Sequence, residues 1–136
     1  MPLKNFQFKD HQLLWSALVA PIPLWLLLAP FSEPPLTPLW LLLLVAPVVE
    51  ELAFRGAIQG YLLQQRWGGH RCGYLSYANL VTALLFALLH LYAQPSLWAL
   101  LTFVPGLIFG AVRERYRTVI PAIALHSYYN GGLLLL

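Results

Sequence analysis

Two adjacent glutamates, Glu50 and Glu51, follow an apolar run from Leu39 to Val49. An ionisable side chain inside an apolar segment is costly, so it points to function by default. Glu51 and Arg55 are spaced i,i+4 with the acid nearer the N-terminus, the favourable order for a helical ion pair; that pair reads as structural. Glu50 points about 100° away on a helix of 3.6 residues per turn and must find its partner on another helix. Two further sets can supply it: Phe86 with His90, and His126 with Asn130, each at i,i+4 on an apolar segment. Alone, each histidine reads as an interhelical hydrogen-bonding group and Asn130 as helix–helix glue. Converged on one buried point, a carboxylate and a histidine can take a proton from water, while a histidine and an amide can donate to a developing oxyanion.

The elements that must position these groups are membrane helices. Of 136 residues, 60% are hydrophobic and 10% charged, and mean hydropathy is +0.68. A soluble domain carries roughly a quarter charged residues. Each span needs about 20 apolar residues, so the expectation is an all-α integral membrane bundle of about five transmembrane helices, a single domain over 1–136 with its core at about 36–136. The first span, about Gln12 to Phe31, contains Pro21, Pro23 and Pro30 and reads as a kinked helix rather than a removable signal peptide; Ser32-Glu33-Pro34-Pro35 ends it. The others run about Leu36–Leu63, Tyr74–Tyr92, Ser96–Val112 and Thr118–Leu136. Pro47, one turn before Glu50, kinks the second span and frees a backbone carbonyl. Gly56 with Gly60 and Gly106 with Gly110 give two GxxxG spacings, read as close helix packing.

The net charge of +3 is informative by position. Lys4 and Lys9 precede span one, Arg66 and Arg71 follow span two, and Arg113, Arg115 and Arg117 follow span four, whereas the other two loops carry no Lys or Arg. This alternation predicts a cytoplasmic N-terminus and an outer C-terminus. No clustered basic face suggests nucleic acid, and the lone Cys72 offers neither a disulfide nor a metal pair. By about 1.5 Å per residue, Glu50 and His126 lie roughly 10 Å from the cytoplasmic face. His90 reaches that depth only if span three starts late, near Asn79, with residues 71–78 at the interface.

Glu50-Glu51-Leu52-Ala53-Phe54-Arg55 resembles the EExxxR signature of the type II CAAX prenyl endopeptidase and bacteriocin-processing (CPBP, or ABI) family. Phe86 to His90 is similar to its FxxxH motif, and His126 to Asn130 to its HxxxN motif, all three in order on apolar segments. The resemblance covers about Ala46 to Asn130. It implies an intramembrane glutamic endopeptidase that hydrolyses a peptide bond with activated water and needs no metal or other cofactor. Glu50 would be the general base, helped by His90; His126 and Asn130 would form the oxyanion hole; Glu51 and Arg55 would support the helix. Family members have up to eight spans, and this chain corresponds to their core. The small bacterial relatives imply an inner-membrane protein whose partners are the bilayer and a membrane peptide or protein substrate, a secreted peptide or sorting tag rather than a prenylated CAAX protein. Two rivals stand beside this: a zinc protease using Glu50, His90 and His126, without an H-E-x-x-H motif to support it, and a non-catalytic scaffold or immunity protein.

Overall fold

The structure, a computed structural model, describes residues 3–31 and 34–135, with side-chain surroundings from 11 to 31 and 34 to 134. Ser32 and Glu33, and the side chains of Lys4 and Lys9, lie outside the described residues. The fold is helical throughout apart from one two-residue hairpin. Helix α1 (Leu3–Val19) stops where Pro21 removes a backbone donor, and α2 (Ile22–Leu28) restarts with Pro23 in its first turn, followed by a 3-10 turn at Ala29–Phe31. The expected kink in the first apolar stretch is therefore a break at Ala20–Pro21.

The second apolar stretch is a continuous helical rod of alternating pitch. A π-helical segment (Leu41–Val45) leads into α3 (Ala46–Glu51), then a second π segment (Leu52–Ile58) and α4 (Gln59–Leu63). Pro47 lacks the N–H that the Leu42 carbonyl would otherwise receive across the wider turn, and Asn130 Nδ2 donates to that oxygen instead, at 2.9 Å. Pro21 leaves Ala17 O in the same position one α-turn back, and the Tyr129 hydroxyl donates to it at 2.7 Å. The carbonyls freed by Pro21 and Pro47 are thus both taken up by side chains of the last helix.

Strands β1 (Arg71–Cys72) and β2 (Leu75–Ser76) pair antiparallel around Gly73, whose φ of +62° suits glycine at the first position of a two-residue turn. The hairpin falls in the polar loop and its flank, where sequence reading placed no strand. Ser76 then caps α5 (Tyr77–Ala93) by accepting from Asn79 N at 3.0 Å. The third helix thus begins three residues after Tyr74 and two before Asn79, close to the late start that the depth of His90 required. Short α6 (Leu97–Leu100) precedes α7 (Phe103–Tyr116), which ends on Arg117 in the left-handed conformation, and α8 (Ile120–Leu135) closes the bundle.

The polarity is inside out. Glu51, Arg55, Gln59, Ser76, Asn79, Thr82 and His126 are buried, while Leu26, Leu27, Leu44, Val49, Leu84, Leu89, Val104 and Leu133 face outward. An aqueous surface does not tolerate so much exposed aliphatic area, whereas in hydrocarbon the polar groups must turn inward. Two helical stretches, His11–Phe31 and Leu97–Tyr116, are long and apolar enough to cross a membrane, and Tyr77–Ala93 is a shorter apolar helix.

Helices α5 and α7 meet at Gly106 and Gly110. A Cβ at Gly110 would overlap the Asn79 carboxamide, and one at Gly106 would lie 3.2 Å from Arg55 Nη2 and 3.5 Å from the Ala83 Cα. At Gly56 the nearest side-chain atom, on Val119, would be an ordinary 3.7 Å away. A Cβ at Gly60 would lie 3.3 Å from the flexible end of Arg113, so the first GxxxG spacing meets α7 less tightly than the second. Gly110→Ala should cost about 1–3 kcal/mol through overpacking. Gly56→Ala should be neutral or stabilising by up to about 1 kcal/mol of helix propensity. Thermal unfolding of both variants in detergent checks the contrast; equal midpoints would show that Asn79 yields freely.

Candidate active site

Three helical elements bring the polar residues together. Glu50 and Glu51 close α3, immediately before the second π segment, so the two carboxylates leave the rod in different directions. Glu51 points inward and is fully buried. Its Oε2 lies 3.3 Å from Arg55 Nε, and its Oε1 lies 2.9 Å from His126 Nδ1 on α8. The i,i+4 ion pair expected from the sequence is present and is joined by a histidine from the far end of the chain.

Arg55 is also fully buried. Its Nη2 donates to Gly106 O at 2.8 Å, and its guanidinium carbon lies 4.5 Å from the Phe86 ring centre and 5.6 Å from that of Phe109. The glycine at 106 lets the guanidinium reach the α7 backbone, which a side chain there would crowd. Phe109 in turn stacks on His126, with centroids 5.0 Å apart and planes at 22°. Phe86 meets His126 edge-on at 5.8 Å and His90 at 4.3 Å. The two phenylalanines hold both histidine rings and the arginine.

Glu50, by contrast, is 29% exposed. Its Oε2 lies 3.8 Å from His90 Nε2 and 3.8 Å from His126 Nε2. These are the interhelical partners that Glu50 needed, and His90 beside it is 32% exposed. The depth difference between His90 and Glu50 disappears because α5 starts at Tyr77.

The outer nitrogens fix what the inner ones can do. His90 Nδ1 lies 2.9 Å from Phe86 O. A carbonyl only accepts, so Nδ1 carries the proton and Nε2 of the neutral ring presents a lone pair to Glu50. His126 Nδ1 likewise donates to the Glu51 carboxylate, so His126 offers an Nε2–H only as the imidazolium. Asn130, expected to present free donors beside His126, spends one amide hydrogen on Leu42 O and keeps a second. At 3.8 Å neither histidine hydrogen-bonds Glu50 directly; the gap suits a bridging water. Among the described residues no group of three or more His, Cys, Asp or Glu side chains is placed to hold a metal ion.

Sequence reading missed Phe109, Gln59, Asn79, Thr82 and Glu114. Gln59 continues the four-residue series Glu51–Arg55–Gln59, and Asn79 and Thr82 lie on the α5 face that carries Phe86 and His90, so their spacing held a signal. Glu114 held none: within Arg113 to Arg117 it reads as a solvated charge, yet its Oε1 receives Gln59 Nε2 at 2.8 Å and the Ser76 hydroxyl, and its Oε2 pairs with Arg71 at 3.3 Å.

The model of the Rce1-like family, described as type II CAAX prenyl endopeptidase Rce1-like, matches residues 15–132. The chain belongs to that family. It is a membrane endopeptidase of the CAAX type, and the match takes in all three polar motifs. No curated protein and no solved structure matches the chain.

Removing one member of a buried pair strands the other, at about 3–5 kcal/mol. Arg55→Met leaves Glu51 with His126 alone and should fall in that range. Glu51→Gln leaves Arg55 with Gly106 O and two aromatic faces. The double variant should cost clearly less than the sum of the singles, measured as unfolding free energy in detergent. Additive losses would show that the pair carries no coupling.

Proposed function

We propose that Glu50 is the general base of a metal-independent hydrolysis, and that the water it activates sits between Glu50 Oε2, His90 Nε2 and His126 Nε2. The observation that carries this reading is the approach of two histidine nitrogens from different helices to one carboxylate oxygen, each at 3.8 Å. A carboxylate and a bare imidazole nitrogen can both accept from one water, which leaves its oxygen lone pairs free for a carbonyl carbon.

The charges support a division of roles. Arg55 pairs with Glu51, which leaves Glu50 as the carboxylate that faces both histidines. His126, held by Glu51 at one nitrogen, then aims an N–H into the site from the other. As water adds to the peptide carbonyl, Glu50 takes its proton. The oxygen that gains charge accepts from His126 Nε2–H and from the remaining amide hydrogen of Asn130, a preorganised pair of donors. Collapse of the tetrahedral species breaks the C–N bond, and Glu50 returns the proton to the leaving amine. Glu51 and Arg55 act through His126 and not on the substrate. The part-exposed side of Glu50 and His90 is the place for a peptide segment to arrive from the membrane. In this reading the chain spans the bilayer about five times with Lys and Arg on the cytoplasmic side, and its substrate is a membrane-associated peptide or protein.

Glu50→Gln keeps shape but cannot accept a proton, so turnover of a membrane peptide substrate should fall at least ~100-fold in a protein that still folds and inserts. Wild-type turnover in purified, folded Glu50→Gln would remove Glu50 from the mechanism. Exhaustive chelation should leave the wild-type rate unchanged. Loss of activity on chelation, restored by added zinc, would turn Glu50, His90 and His126 into ligands.

A further inference from the structure

Hydrolysis consumes one water per turnover, the hydrocarbon core holds almost none, and the part-exposed side of Glu50 and His90 is covered once a peptide occupies it. A second route for water has to reach the site from within the protein. The buried polar atoms mark one. Among the described residues, seven buried side-chain nitrogen and oxygen atoms make no hydrogen bond; two of them, Glu51 Oε2 and Arg55 Nε, are ion-paired with each other at 3.3 Å, which leaves Glu50 Oε2, Arg55 Nη1, Thr82 Oγ1, Asn79 Oδ1 and Gln59 Oε1. They are not scattered. Those of Arg55, Thr82, Asn79 and Gln59 lie on the face where the Glu-containing rod, α5 and α7 meet, and Glu50 Oε2 lies beyond its end beside His90 and His126.

The column is built in steps of four residues. Glu51, Arg55 and Gln59 descend one helix, while Gly106, Gly110 and Glu114 descend another. Arg55 Nη2 donates to Gly106 O, Gln59 Nε2 donates to Gly110 O at 3.2 Å, and Gln59 Nε2 also reaches Glu114. On α5, Phe86 lies under Arg55, Ala83 faces Gly106 and Asn79 lies against Gly110, with Thr82 buried on that same face. The lower end opens at Glu114, which holds Ser76 and the exposed Arg71 at the arginine-rich rim. The upper end is the Glu51–His126–Glu50 group.

An orphaned polar group costs about 1–3 kcal/mol, and four in one column call for a common partner. Arg55 Nη1 needs an acceptor, whereas Gln59 Oε1 and Asn79 Oδ1 need donors and Thr82 can be either. Water alone serves both kinds, and buried water characteristically makes about three hydrogen bonds to such groups. We propose that this column holds a file of internal water that feeds the catalytic centre from the Glu114 rim. Its ligand is water, bound by Arg55, Thr82, Asn79 and Gln59. The occupancy stands on the orphaned atoms alone; the supply role rests on the hydrolytic reading of Glu50.

Two measurements on the full chain in phospholipid bilayers test it. In solid-state NMR, magnetisation from water should reach the side-chain amides of Gln59 and Asn79 as readily as that of exposed Gln64. No transfer to either buried amide overturns the file. Thr82→Val is nearly isosteric and removes one water contact, so kcat should fall about tenfold, the equivalent of one hydrogen bond, with KM unchanged. Thr82→Ser, which keeps the hydroxyl, should restore it. A dry column would instead make Thr82→Val neutral or stabilising, because an orphaned hydroxyl is lost. Wet amides together with wild-type kcat in Thr82→Val overturn the supply role. An active Glu50→Gln protein with wet amides overturns the reading of Glu50 and the supply role with it, while the occupied file is upheld.

Discussion

A carboxylate and a guanidinium, both without solvent contact, hold this bundle in register. Isolated at such depth, either charge would cost several kcal/mol, and their mutual attraction offsets that only when further groups complete both. The bundle supplies those groups from every side. Arg55 takes a backbone oxygen from α7 and an aromatic face from α5, and Glu51 takes a histidine from α8. One ion pair therefore ties the rod to three other helices. Phe86, Gly106 and His126 are constrained by it as firmly as by anything they do to a substrate.

Backbone satisfaction is the second constraint, and it explains the tail of the last motif. Hydrocarbon offers no donor to a carbonyl that a proline has freed. Tyr129 and Asn130 cover the oxygens exposed by Pro21 and Pro47, and Tyr128 covers Leu18 O at the same break in the first helix. Pro47 also lies beside the change from π to α pitch, one turn before the glutamates. Where the second π segment follows them, each turn closes over five residues instead of four, which brings residues four apart nearer to one line. Glu51, Arg55 and Gln59 are such a line. The irregular pitch and the polar column are parts of one arrangement.

The site was more legible than the fold. Charges and amides in apolar segments stand out because each must be compensated, so Glu50, Glu51, Arg55, His90, His126 and Asn130 could be singled out from type and spacing. The partners were legible only in part. The Glu51–Arg55 pair is local and follows from an i,i+4 rule, whereas the bond from His126 to Glu51 depends on how α8 rolls, which no local pattern carries. Asn130 shows the same limit: Pro47 announced a freed carbonyl, but nothing in the sequence linked it to a residue 83 positions later. The hairpin at Arg71–Ser76 was hidden because two residues per strand leave no alternation to read. Helix ends fared better where chemistry marks them, as at Ser76, whose side chain sets the start of α5 and with it the depth of His90.

The spacing around Glu50 follows from these constraints together. Had the His126 N–H closed to about 2.8 Å, it would have formed a charge-assisted bond with Glu50 and occupied a lone pair that the proposed base keeps free. His90 is held back by its own helix, since Nδ1 is anchored to Phe86 O and the ring lies against Phe86. His126 is held back by Glu51 and by the stacked Phe109. Each ring is fixed at its outer nitrogen by a group that never meets a substrate, and the inner nitrogens stop short of the carboxylate. The Glu51–Arg55 pair thus sets the gap around Glu50 in which the proposed mechanism places its water. Replacing Glu51 removes the anchor of His126 Nδ1 and frees the ring to close on Glu50.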